Sequence, residues 1–159
     1  MNNIRPDDWS SFLIIAVCLV ASAFFSASET AITSLGALKA RHLLDKEGKA
    51  VSQLKLWLQY PSRVLTTILI FNNLFNILAS AITTQLATYY FKSQAVGMAT
   101  GIITLLVLIF GEIIPKSFAR ANSEKLAIFS MVVISFIYRL FFPIVWLFSE
   151  LANLSLIHI

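Results

Sequence analysis

Two carboxylates, Glu29 and Glu112, stand inside stretches that are otherwise apolar enough to cross a bilayer. Ionisable groups at that depth are expensive to bury, and they face partners, water or a substrate path. A polar stripe accompanies each. Ser22, Ser26, Glu29, Thr30 and Thr33 recur at helical spacing and so share one face. Asn73, Asn76, Ser80, Thr83 and Thr84 do the same further along, and Asn72 stands four residues before Asn76. A lone Ser or Thr in such a place usually bonds one helix to another, for a fraction of a kcal/mol up to about 2 kcal/mol. Asn73 and Asn76 together, opposite an embedded glutamate, point to function instead.

The run Gly111-Glu112-Ile113-Ile114-Pro115-Lys116 adds a backbone group. Pro115 has no N–H, and its ring displaces the carbonyl four residues back, which belongs to Gly111. A carbonyl left unsatisfied in hydrocarbon costs several kcal/mol and needs a partner, for which a cation is well suited. Ser26 lies nine residues before Leu35 and Asn73 ten after Arg63, so on straight helices both sit roughly 15 Å from the same surface. Three spans are thus expected to bring hydroxyl, amide, carboxylate and carbonyl oxygens together in the inner half of the bilayer. All-oxygen sites suit hard cations such as Mg²⁺, Ca²⁺ or Na⁺. Cys18 sits in an apolar run and His42 and His158 are far apart, which argues against a soft-metal centre. There is no H-E-x-x-H, G-x-S-x-G or phosphate-cradling glycine loop, so an enzyme is not expected.

The elements that position these groups follow from composition. Of 159 residues, 58% are hydrophobic and only 13% charged, too little polar surface for a water-soluble globule. The fold class expected is an all-α membrane protein with three transmembrane helices, short helices in the basic loop, and a juxtamembrane belt. The first span runs from about Trp9 to Leu35 and the second from about Pro61 to Phe91, with Pro61 at a favourable helix start. The third covers about Ala95–Ile114 and is expected to close at Pro115. It carries Gly97 and Gly101, a small-xxx-small pair that permits close helix approach. Residues 37–60 alternate charge with Leu and Trp as one or two short helices broken near Gly48. In the stretch about 124–156, a crossing would bury Arg139 near its centre, at about 2.5 kcal/mol or more. Two apolar pieces hinged at Arg139 and Pro143 lying along the interface is the preferred reading.

Charge sets the expected orientation. Lys39, Arg41, Lys46, Lys49, Lys55 and Arg63 oppose only Asp45 and Glu47, and Lys116, Arg120 and Lys125 form a second basic group. Basic loops stay in the cytoplasm, which places the N-terminus and the Lys92 turn outside a plasma or inner membrane. No base-reading module accompanies these cations, so nucleic acid is not an expected partner.

Phe25-Ser26-Ala27-Ser28-Glu29-Thr30-Ala31, the Ile70–Leu78 run with its three asparagines, and Gly111–Lys116 resemble, in order and across nearly the whole chain, the transmembrane domain of the CNNM/CorC family. The resemblance implies Mg²⁺ transport, described as Na⁺-coupled efflux, by a homodimer with three membrane helices per subunit and a belt-like juxtamembrane helix. It implies direct cation ligation by Ser26, Asn73, the Gly111 carbonyl and Glu112. Ser28, Glu29, Thr30, Asn72 and Asn76 are implied as supporting or Na⁺-site groups. ATP is bound in such relatives by cytoplasmic CBS domains that this sequence does not include. A membrane-embedded Mg²⁺ sensor or regulatory scaffold is the rival reading, since it needs the same site.

Overall fold

A computed structural model describes residues 6–45, 51–90 and 93–157, all of them helical or in short turns. The elements are α1 (Pro6–Leu44), a 3-10 turn (Val51–Gln53), α2 (Leu54–Gln59), α3 (Pro61–Tyr90), α4 (Ser93–Leu106), a π-helical segment (Val107–Ile113), α5 (Ile114–Ala121), α6 (Ser123–Leu140) and α7 (Phe142–Ile157). Three stretches are long and apolar enough to cross a membrane: Trp9–Leu44, Pro61–Tyr90 and Thr100–Ala121. Helices are the form open to such segments, because every backbone polar group must be satisfied within the chain. The break expected near Gly48 and the Lys92 turn fall outside the described residues.

Many of the hydroxyls on these spans bond within their own helix. Thr33 donates to the Glu29 carbonyl at 2.7 Å, Thr67 to Arg63 at 2.8 Å, Thr84 to Ser80 at 2.9 Å and Thr88 to Thr84 at 2.7 Å. This back-bonding satisfies a polar group in an apolar setting without a partner helix. Parts of the polar stripes are therefore self-contained.

The backbone of α1 turns at Gly36, whose φ of 70° and ψ of 163° favour glycine. The turn separates the apolar span from the basic segment 37–44. Around this end of the bundle sits the core: Phe25, Ile32 and Leu35 of α1 meet Val64 and Ile68 of α3, Ala119 of α5, and Ala127, Met131 and Ile134 of α6. Fully buried Ala31, Ala119 and Ala127 let the backbones come close. Phe25 stacks on Phe71 at 5.6 Å and on Phe75 at 5.9 Å between ring centroids, which sets how α1 and α3 are rotated against each other.

Two boundaries differ from the sequence expectation. The third helical stretch does not close at Pro115 but runs on through it to Ala121. The preceding turns are widened to i→i+5 bonding, as in the Ile114 N–H to Ile109 carbonyl bond, and this accommodates a residue without a donor. The final stretch is two helices bent by 91°, hinged at Phe141 between the two expected points. Glu124 at its start pairs with Lys39 at 3.2 Å, and Glu150 near its end pairs with Arg63 at 3.8 Å. Both partners stand where α1 ends and α3 begins, so segment 123–150 enters and returns at one end of the bundle. Arg139 is exposed, with Nη2 donating to Gln53 Oε1 at 3.5 Å, rather than buried at the centre of a crossing.

Candidate functional site

The polar residues of the three long helical stretches meet around Ser22. Its buried hydroxyl donates to Asn76 Oδ1 at 2.6 Å and also lies 3.1 Å from Asn72 Oδ1. One hydroxyl proton thus serves two amide oxygens, leaving the group rich in acceptors. Asn76 Nδ2 in turn donates to Glu112 Oε1 at 3.3 Å. The third side is backbone: a Cβ added to Gly111 would lie 3.3 Å from Ser22 Oγ. Glycine at 111 is what lets α1 approach this closely.

The π-helical segment explains how Glu112 reaches α3. Widened turns carry an extra residue and rotate the side chains beyond them, and they recur at functional sites. Here Gly111 and Glu112 both lie within Val107–Ile113, four and three residues before Pro115. The proline thus acts on the site through the shape of the helix.

The two embedded glutamates differ in their counter-charge. Glu29 Oε2 pairs with Lys116 Nζ at 3.3 Å. Glu112 is held by the Asn76 amide, with no ion pair among the described residues. No group of three or more His, Cys, Asp or Glu is arranged to hold a metal among the described residues. A cation here would therefore meet one carboxylate and several neutral oxygens, the donor set of a hard ion.

Of the expected ligands, Gly111 and Glu112 are at this meeting point, joined by Asn72 and Asn76. Ser26 lies one turn from Ser22, fully buried, its hydroxyl without a hydrogen-bond partner among the described residues. Asn73 is not brought in: it is exposed on the protomer surface. Asn72 and Asn76 are four apart and face α1, so Asn73 is turned away, by about 100° from Asn72 and about 60° from Asn76. Ser28 is committed elsewhere, bonded to the Phe24 carbonyl at 2.7 Å and to Ser130 Oγ of α6 at 2.9 Å. Thr30 offers its carbonyl to the Thr33 hydroxyl at 3.3 Å, apart from the Ser22 group.

The residue that sequence reasoning passed over is Ser22. Its signal was membership of the Ser22–Ser26–Glu29 stripe; its nearness to Gly111 had none. Choosing Ser22 over Ser26 also moves the meeting point. Ser22 is about 21 Å along α1 from Gly36 and Asn76 about 22 Å along α3 from Pro61, near mid-span rather than in the inner half.

Three apolar helical stretches around an oxygen-rich polar cluster define a helical membrane domain. Residues 13–158 match the family model described as the Cyclin M transmembrane N-terminal domain, and the chain belongs to this CNNM family. It is 40% identical over 138 residues to a UPF0053 protein of Haemophilus influenzae, covering 87% of this chain and 33% of that protein. It is 35% identical over 133 residues to the UPF0053 inner membrane protein YfjD of Escherichia coli, covering 84% of this chain and 31% of that protein. A Haemophilus influenzae protein named polyamine export protein is 27% identical over 156 residues, covering 90% of this chain and 36% of that protein. The chain spans about a third of the length of these relatives.

Proposed function

We propose that this domain binds and transports Mg²⁺, moving it outward in exchange for Na⁺. The observation that carries the reading is Glu112, an embedded carboxylate held by an amide and lacking a basic partner among the described residues, beside the acceptor-rich Ser22, Asn72 and Asn76. Ser26, whose buried hydroxyl has no hydrogen-bond partner among the described residues, completes the donor set, with the Gly111 carbonyl proposed as a further donor. Mg²⁺ demands octahedral geometry and gives up water reluctantly, so retained waters fill the remaining positions. Na⁺ entry supplies the drive, each inward charge being worth about 2.3 kcal/mol per 100 mV. Resolving the π-helical turns into regular helix would re-aim Glu112 and open the site to the other side.

The orientation proposed keeps the basic loops in the cytoplasm and the N-terminus outside an inner or plasma membrane. A homodimer is proposed as the working unit. Asn73, Ser80 and Thr84 lie exposed along α3, and a Cβ on Gly97 or Gly101 of α4 would meet nothing within 4 Å. Polar and small residues left open on α3 and α4 are what a second copy can cover.

The test is flux in liposomes that contain only the purified protein. Mg²⁺ efflux that responds to Na⁺, and is lost in Glu112→Gln, supports the reading. Binding without flux makes the protein a sensor or scaffold. An organic polycation is the second reading, favoured by an embedded carboxylate, Glu112, without an ion pair among the described residues and by the relative named polyamine export protein. Spermidine flux in place of Mg²⁺ flux would establish it.

A further inference from the structure

An open apolar groove of about 660 Å³ lies on the side of the bundle where α1, α3 and α6 meet. The ten residues around it are Ala, Val, Ile and Phe only, among them Val17 and Ala21 of α1, Phe71 and Phe75 of α3, and Val133 of α6. On α1 it extends from Ala16 to Phe25, about 14 Å. Measured from Gly36, that stretch lies from about 17 to about 30 Å away, in the half of the hydrocarbon layer farther from the basic loops.

Hydrocarbon surrounds this groove, because α1 and α3 are long and apolar enough to cross a membrane. Its rim continues into apolar surface that a bilayer must cover, with Val17 55% and Val20 72% exposed. A methylene is close in size to a water, about 30 Å³, so the space takes about twenty such groups, the content of one fatty-acyl chain. Lipid tails are as apolar as the wall, and preference comes from shape: a concave wall touches a chain on several sides, a convex helix on one. The face of α3 proposed above for a second copy points elsewhere, since Asn73 lies about 160° round the helix from both Phe71 and Phe75.

The groove also backs onto the polar cluster. Ala21, Phe71 and Phe75 immediately precede Ser22, Asn72 and Asn76 in the chain. The polar members meet one another and the π-helical segment, while the apolar ones turn toward α6. Phe25, part of the groove wall, carries the stacks on Phe71 and Phe75 that set α1 against α3. A chain packed on these rings holds that rotation, and with it the 2.6 Å bond from Ser22 to Asn76. We propose that the groove binds one acyl chain of a membrane phospholipid, and that its occupancy steadies the Ser22–Asn76–Glu112 group. The coupling to the ion rests on the Mg²⁺ reading; the chain site does not.

The probe is phosphatidylcholine with a photoactivatable diazirine at the end of one acyl chain, in phosphatidylcholine vesicles containing the purified protein. Labelled residues are mapped by mass spectrometry, and Mg²⁺ is titrated in detergent with and without added phosphatidylcholine. The expected result is labelling concentrated on Phe24, Phe25 and Val133, and an apparent Mg²⁺ Kd lowered about fivefold by the lipid. Ala16→Phe/Val133→Phe, which fills the groove, should cut that labelling about tenfold and abolish the lipid effect on Kd. Val133→Leu, a smaller intrusion that keeps the test open if the double variant does not fold, should cut labelling in part. Phe136→Ala, at an exposed position outside the groove, should leave it unchanged. Equal labelling of Phe136 and the groove, or full labelling in the folded filled variant, overturns the proposal. So does a disulfide between two copies carrying Val20→Cys, which puts the partner in the groove. Groove labelling with Mg²⁺ binding indifferent to lipid overturns the coupling. Groove labelling without any Mg²⁺ binding upholds the chain site and removes the Mg²⁺ reading.

Discussion

Gly111→Ala is the sharpest probe of the site, because its effect on the fold and its effect on the ion are expected to separate. The new methyl would lie 3.3 Å from Ser22 Oγ, 3.7 Å from Val107 Cγ1 and 3.8 Å from Ser22 Cβ. The last two are ordinary contacts; the first is not, and Ser22 must retreat by a few tenths of an ångström. Crowding of this kind costs about 1–3 kcal/mol, while alanine gains about 1 kcal/mol over glycine in a helix. The net loss of stability is therefore expected to stay below about 2 kcal/mol. The ion is less forgiving. A displaced Ser22 hydroxyl disrupts its 2.6 Å bond to Asn76, the residue that holds Glu112. We expect Mg²⁺ affinity to fall about tenfold, equivalent to about 1.4 kcal/mol. Calorimetric titration beside a thermal melt measures both quantities. The decisive comparison is a double-mutant cycle with Ser22→Ala, in which the crowded oxygen is gone and Gly111→Ala should cost little more. Strictly additive losses, or wild-type affinity in folded Gly111→Ala, would refute the idea that Gly111 acts by making room for Ser22.

Three further predictions use other parts of the bundle. Glu29→Gln, which removes a partly exposed ion pair with Lys116, should lower stability by less than about 1 kcal/mol and leave Mg²⁺ affinity in calorimetric titration unchanged. A large loss of affinity would give Glu29 the role assigned to Glu112. A cysteine at Arg139 should be labelled by an impermeant maleimide from the same side of the membrane as one at Lys39, and labelling from the opposite side would make segment 123–150 a crossing. If the proposed homodimer forms through the exposed face of α4, Gly101→Leu should give a monomer in light scattering while leaving the helical circular dichroism intact, and a retained dimer would move the interface elsewhere.

The helices were largely legible in the residues because membrane spans announce themselves by length and apolar content. Pro61 stands at the start of α3 and Gly36 at a turn within α1, each through a mechanism local to the backbone. Pro115 misled for an equally local reason: a missing donor ends a helix in water, but inside a span the chain widens its preceding turns and continues. Asn73 misled differently. Asn72, Asn76 and Asn73 spread over an arc of about 100° on the helix, and periodicity alone leaves open which edge of that arc turns inward.

Sequence alone determined that this chain has three membrane-competent helices, that two of them carry acids, and that oxygen donors would form any site. These conclusions come from the energetics of burying backbone and charge in hydrocarbon, which act residue by residue. Tertiary structure decided which donors meet. The stacking of Phe25 on Phe71 and Phe75 sets the rotation of α1 against α3, bringing Asn72 and Asn76 to Ser22 and leaving Asn73 outside. The approach of Lys116 to Glu29 neutralises one carboxylate and leaves Glu112 without a basic partner among the described residues. Rotation about a helix axis is invisible to a periodic pattern, because it is set by the side chains of the neighbouring helix.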